Sequence, residues 1–195
     1  MGHSKAEKAD SHERIVRIAA ARLRELGADA IAVADLMQEA GLTHGGFYRH
    51  FASRGDLIDE SIERALSDGA NGAFAAEASG KLARRALLLA VIDWYLSPQH
   101  RDGLATSCAV TSLAADVARG SARARAAYTR QVAAYLELFV RLMEGDAPAG
   151  TKRAEAIALW AGMVGALSMA RAVNDERLSH EILKTAADDL KGRLA

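Results

Sequence analysis

The chain has 195 residues, 50% of them hydrophobic and 26% charged, with 25 basic residues balancing 25 acidic ones. That length supports a sizeable core in one or two domains, and the composition argues against disorder over most of it. Zero formal net charge counts against a protein that coats nucleic acid indiscriminately, yet it leaves room for a reader of one specific site.

Pro98 and Pro148 are the two prolines. So few helix breakers among so much Ala, Leu, Arg and Glu predict an all-α chain. The single cysteine, Cys108, has no intramolecular disulfide partner. No apolar run of about 18 residues suggests a membrane span. The polar stretch Met1 to Asp10 lacks the apolar core of a signal peptide, so a reducing cytoplasm is the expected compartment and no membrane partner is expected.

Met1 to Asp10 is expected to be a flexible arm. Ser11 is placed to cap a first helix carrying Ile15, Ile18, Ala19, Leu23 and Leu26 at helical spacing, stopped by Gly27. A second helix, Val33 to Ala40, buries Val33, Leu36 and Ala40 and stops at Gly41. The stretch Gly41 to Phe51 then reads as the turn and second helix of a helix-turn-helix, beginning near Thr43 or His44. In that motif the second helix enters the DNA major groove. Phe47 and Phe51, four apart, share one face and are assigned to the core. Ser53 is a cap for a fourth helix with Leu57, Ile58, Ile62 and Leu66, expected to fray or end in the Gly- and Ala-rich run Gly69 to Gly80.

The remainder reads as a second helical unit. Lys81 to Leu96 is apolar nearly all round, the mark of a central helix, and Ser97-Pro98 ends it. A shorter helix spans Thr106 to Ala118. A long one spans Ser121 to Glu144, with Tyr128, Val132, Leu136 and Phe139 along a stripe. A loop covers Gly145 to Gly150, and helices over Thr151 to Val173 and Ser179 to Leu194 complete about nine. The expected division is a DNA-binding domain over residues 1–52 and a larger domain over 53–195.

The first sixty residues resemble the DNA-binding domain of the TetR family of transcriptional regulators. Ile15, Ala19, Ala20, Leu23 and Gly27 match its first helix. Val33, Asp35, Leu36 and Ala40-Gly41-Leu42 match its second helix and turn. Gly45, Phe47-Tyr48, His50-Phe51 and Leu57 match its recognition helix and the start of the helix that follows. The likeness departs at Ala32, where a capping Thr or Ser is usual, at Arg54 in place of Lys, and at Gly55 in place of an acid. A lost cap costs about 1 kcal/mol. The resemblance implies a homodimeric repressor that binds a near-palindromic double-stranded DNA operator. It also implies release by a small-molecule effector held in the helical second domain, with no cofactor and no metal.

On this reading the DNA face comprises Thr43, His44, Gly45, Gly46, Tyr48, Arg49, His50 and Arg54. Thr43 is the helix cap and a phosphate donor. His44 meets a base edge or a phosphate. Two adjacent glycines cost about 1 kcal/mol each inside a helix, which close backbone approach to DNA would justify. Tyr48, His50 and Arg54 reach the sugar-phosphate backbone. Arg49 faces away from the core, toward DNA or toward a neighbouring acid. With few long polar side chains at the bases, groove shape is expected to carry much of the specificity.

In the second domain Trp94, Tyr95, Cys108, Tyr128 and Met163, with Trp160, are candidates for an effector pocket, set against the plainer reading that they only fill a core. Cys108, early in its helix, is alternatively a thiol that senses electrophiles or oxidants. Ala158, Gly162, Gly165 and Ala166 form a small-residue stripe suited to a two-fold contact, with the last helix completing a four-helix bundle. The fourth helix is the expected lever between ligand and DNA. No G-x-S-x-G, H-E-x-x-H, phosphate-loop or dinucleotide pattern is present, so an enzyme is not expected. A helical protein-interaction adaptor without DNA binding is the remaining alternative.

Overall fold

A computed structural model describes residues 5–143 and 148–194, and every regular element among them is helical. In order these are α1 Lys5–Leu26, α2 Val33–Glu39, a 3-10 turn His44–Arg49, α3 Arg54–Ser79, α4 Arg84–Tyr95 and α5 Pro98–Asp102. A second 3-10 turn, Leu104–Thr106, leads to α6 Ala109–Ser112, α7 Ala114–Arg119, α8 Ala122–Leu142, α9 Ala149–Ala172 and α10 Glu176–Gly192. No helix among the described residues is long and apolar enough to cross a membrane.

The N-terminal unit is built from the apolar spacing. Ile15, Ala19, Ala20 and Leu23 of α1 are buried against Leu36 and Met37 of α2, Phe47 of the first turn, Phe51, and Leu57 and Ile62 of α3. Gly27 (φ 78°) and Gly41 (φ 71°) adopt the left-handed conformation that ends the first helix and opens the turn. Ser53 caps α3, its Oγ accepting the Asp56 N–H at 3.1 Å. Beyond this unit α3 lies against α8, α8 against α9, and α9 against α10, with α4 on α8 and α10.

Several expectations are corrected. The described part of the presumed arm is helical: α1 begins at Lys5, so Ser11 lies inside it, while Met1 to Ser4 fall outside the described residues. Lys5 to Asp10 are mostly good helix formers, and the first turns are held by His12, whose ring stacks on Phe51 at 4.6 Å. Next, α3 does not end in the Gly- and Ala-rich run; it continues to Ser79 and stops at left-handed Gly80. Alanine is the strongest helix former, and Ala73, Phe74 and Ala76 add tertiary contacts that offset the helical glycines.

The expected helix Thr106 to Ala118 is broken into a 3-10 turn, an extended Ser107-Cys108 step, and α6 and α7. The cause is local: the Cys108 N–H is drawn to His100 Nε2 at 3.1 Å and Ser107 Oγ donates to the Leu104 carbonyl at 2.9 Å. Finally, Lys81 to Leu96 is not a central helix. Its ordered part, α4, buries Leu87, Leu88, Ile92 and Tyr95, but Leu82 and Trp94 are 52% and 59% exposed. At the C-terminal end, α10 starts at Glu176, where the Asp175 carboxylate accepts the N–H groups of Arg177 and Leu178. Ala149 and Gly150 of the expected loop belong to α9, and Glu144 to Ala147 fall outside the described residues.

Buried polar side chains tie the parts together. Arg24, at the end of α1, donates from Nε to the Ala105 carbonyl at 2.6 Å and from Nη1 to the Ala65 carbonyl at 3.1 Å. The Ala28 N–H reaches Asp116 Oδ1 at 3.1 Å. Arg171 of α9 donates to the carbonyls of His100 and Arg101, closing the end of α5. Buried His100 donates from Nδ1 to the Tyr95 carbonyl at 2.7 Å and accepts at Nε2 from Cys108, which fixes a neutral tautomer.

Burial pushes His100 below the ordinary histidine range, outweighing the Tyr95 hydrogen bond that raises it. His50 is lowered too, first by burial and then by the positive charges of His12, Lys8 and Arg49. The unfolded chain therefore takes up these protons first. Their contribution to stability is full above the unfolded value, about 6.5, and is lost as pH falls below it. The melting temperature is expected to fall between pH 7.5 and pH 5.5, with a smaller fall in His100→Gln. A flat profile for the unmodified protein over that window would contradict the assignment.

Candidate nucleic-acid interface and ligand cavity

The element expected to read DNA is a 3-10 turn rather than an α-helix. Thr43 is in extended conformation at its start, but its hydroxyl makes no capping bond. Two glycines at the next positions weaken the first turn further. The turn closes through Gly46 N–H to the Thr43 carbonyl at 2.9 Å, and Phe47 anchors it in the core.

From that anchor the side chains divide. His44, Gly45 and Arg49 are exposed, Gly46 is half-buried, and Tyr48 is 74% exposed. Arg49 makes no salt bridge among the described residues. His50 turns inward: it is half-buried between His12 and Phe51, and its Nδ1 has no hydrogen-bond partner among the described residues. Arg54 is engaged with backbone, donating to the carbonyls of Ile31 at 3.0 Å and Ala28 at 2.5 Å, so it closes the α1–α2 connection. The predicted residues Thr43, Gly46, Arg49 and His50 share a groove with Glu7, Lys8 and Ser11 of α1. Lys8 and Ser11 are absent from the predicted face because Met1 to Asp10 is expected to be an arm and Ser11 the cap of the first helix. The helix-forming composition of Lys5 to Asp10 was the available signal.

The two glycines have no internal steric justification. A Cβ built on Gly45 meets nothing within 4 Å, and one on Gly46 makes only ordinary contact with Met37 Cε at 3.6 Å. Gly45 sits on the outer side of the turn and Gly46 at its edge. The acids near the motif are largely engaged within the protein. Glu39 pairs with Arg22, Glu60 with His12 at 2.6 Å, Asp59 accepts from Ser121 Oγ at 2.8 Å, and Asp56 from Ser53. Lys8 and Arg49 bring positive charge to the groove, beside Glu7, and add to burial and His12 in lowering His50.

In the C-terminal half a cavity of about 370 Å³ lies between α3, α4, α8 and α9. Of the predicted pocket residues, Trp94, Tyr95 and Cys108 line it, as does Trp160. Tyr128 and Met163 do not. The Tyr128 hydroxyl donates to the Val110 carbonyl at 2.8 Å, and Met163 is fully buried in the core. Gly69, Gly72, Ala73 and Ala76 of α3 form a wall of small residues, and Tyr135 and Phe139 of α8 face it. The Gly- and Ala-rich run that looked like a helix end is therefore a helix face cut back to leave space.

The small-residue stripe of α9 splits in two. Gly162 is exposed but borders α10, where a Cβ would sit 3.3 Å from Leu190 Cδ2, and Ala166 is buried inside the monomer. Ala158 is exposed and Gly165 is half-buried with open space above it. They join Ala161, Ile157 (47% exposed) and Met169 (55% exposed) in an apolar outer face. No group of three or more His, Cys, Asp or Glu side chains among the described residues is placed to hold a metal.

Comparison with known proteins agrees with this architecture. Residues 15–60 match the family model described as bacterial regulatory proteins, tetR family. No curated protein matches the sequence significantly. Three solved structures share the fold, each with a TM-score of 0.77. A TetR transcriptional regulator from Chloroflexus aurantiacus is 23% identical, over 97% of this chain and 96% of that one. The reduced form of E. coli NemR is 20% identical, over 94% and 96%. A TetR transcriptional regulator from Legionella pneumophila is 17% identical, over the whole of both chains. Residues 15–60 thus carry the helix-turn-helix unit of the tetR family of bacterial regulatory proteins, and the chain as a whole shares the fold of solved TetR-type regulators.

Proposed function

We propose that the protein is a homodimeric transcriptional repressor that leaves a near-palindromic operator when a small molecule fills the C-terminal cavity. The observation that carries this reading is exposed Gly45, with half-buried Gly46 beside it, on a turn anchored by Phe47, neither glycine being required by a close internal contact. Nothing inside the protein needs them, whereas a phosphate backbone approaching the turn would. Tyr48 and Arg49 beside them, with Lys8 across the groove, supply contacts to phosphate and sugar. His44 is free to meet a base edge. Arg54, held by backbone carbonyls, acts by fixing the α1–α2 connection.

The apolar outer face of α9 supports the dimer. Ile157, Ala158, Ala161 and Met169 together expose surface that a second copy would cover, while the exposed side of α10 is charged. A two-fold pair of reading heads about one DNA turn apart is the geometry that half-site recognition requires.

The Gly45→Ala variant is expected to keep or slightly raise thermal stability, by up to about 1 kcal/mol, because the added methyl meets no atom. Its affinity for a duplex selected from genomic DNA should nevertheless fall at least about tenfold in an anisotropy titration, since a methyl displaces the close phosphate contact. Unchanged affinity would remove the glycine argument. Ile157→Asp should give a folded monomer by sedimentation and lose full-site binding; a dimer that survives it would refute this face.

A further inference from the structure

Two polar groups in the cavity wall stand out because their neighbours are satisfied. Tyr95 Oη meets Thr111 Oγ1 at 2.5 Å, and His100 bonds both Tyr95 and Cys108. In contrast, Trp160 Nε1 is buried with no hydrogen-bond partner among the described residues, and the Tyr135 hydroxyl is governed by burial and by nearby Cys108, with no hydrogen bond to it. Both side chains belong to residues only 5% exposed, and their rings lie 4.8 Å apart. The Tyr135 hydroxyl sits at the wall itself, 3.9 Å from where a Gly69 Cβ would be and beside Cys108. Buried donors without acceptors are costly, so such groups in a native protein call for a partner.

The rest of the wall limits what that partner can be. Trp94, Tyr95, Phe139 and the small residues of α3 present aromatic and aliphatic surface, and no Asp, Glu, Lys or Arg side chain lines the cavity. A charged ligand would lose its hydration with no counter-charge to replace it. Burial also holds the Tyr135 phenol far above the ordinary tyrosine range, so it remains a neutral donor.

We propose that the cavity takes a neutral aromatic molecule carrying a hydrogen-bond acceptor, such as an aryl ketone, with Tyr135 Oη and Trp160 Nε1 as donors to it. This rests on reading the cavity as a ligand site. It adds the polarity and charge of the ligand and the residues that select it.

The test is calorimetric titration of the full chain, without DNA, against four probes of one ring size: 1-acetonaphthone, naphthalene, 1-naphthoate and 1-naphthylmethylammonium. The ketone should bind at least about tenfold tighter than each of the others, the scale expected when a buried donor gains its acceptor. Tyr135→Phe should bring the ketone down to the naphthalene level while leaving naphthalene itself unchanged, which shows the cavity intact. Tightest binding by the anion or the cation, a ketone preference that survives Tyr135→Phe, or no binding by any probe would overturn the assignment. Operator release is a separate readout. A ketone that binds as described but leaves DNA binding unaltered refutes the effector role and leaves the ligand class standing.

Discussion

The buried guanidinium of Arg24 is the constraint on which the rest of the structure depends. It lies near the end of the first helix of the N-terminal unit, yet its hydrogen bonds go to carbonyls of Ala65 in α3 and Ala105 in the second 3-10 turn. Desolvation lowers its pKa, partly opposed by the charge of Asp68, and the cation is kept there by directed acceptors. One residue beyond left-handed Gly27, Ala28 donates to Asp116 at the start of α7. The end of α1 is thereby clamped onto residues 104–116 at both ends of that segment. Removing either acceptor leaves a buried polar group unpaired, which makes the contact effectively all-or-none.

The clamped segment is also cavity wall. Ala105 holds Arg24, while Thr106, one residue on, lines the cavity; Cys108 lines it too, and Asp116 holds Ala28. Helix α3 has the same double character. Its first turn follows Phe51, its Ala65 carbonyl accepts from Arg24, and its Gly69 to Ala76 stretch forms the small-residue wall. A ligand that presses on Thr106, Cys108 or Gly69 therefore acts on groups one to four residues from the clamp. A coupling of about 1–3 kcal/mol through it would change DNA affinity about 5–150-fold. The family likeness places the lever in the helix after the reading head. The geometry here favours two levers that meet at Arg24.

Much of this was legible in the sequence because it is written in short-range terms. The apolar spacing of α1 and α2, the stops at Gly27 and Gly41, the Ser53 cap and the core roles of Phe47 and Phe51 are each a relation between residues at most a turn or two apart. What could not be read depends on long-range partners. The break at Ser107-Cys108 exists because His100 pulls the Cys108 amide, and Arg54 is withdrawn from the DNA face by carbonyls some 23 to 26 residues earlier. The small residues of α3 looked like a fraying end, since a helix face shaped for a cavity has no periodic apolar mark of its own. Tyr135 takes the place expected of Tyr128 for a similar reason: composition gives the aromatic residues but not which way each ring turns.

The clamp is tested most directly by native-state hydrogen exchange on the unliganded protein. If the end of α1 and residues 104–116 form one unit, the amides of Gly27, Ala28, Ser107 and Leu113 share one opening free energy. Asp116→Ala should then lower that value for all four together. Loosening of Ala28 alone, with Ser107 and Leu113 as protected as before, would show that the reading head and the cavity wall move independently.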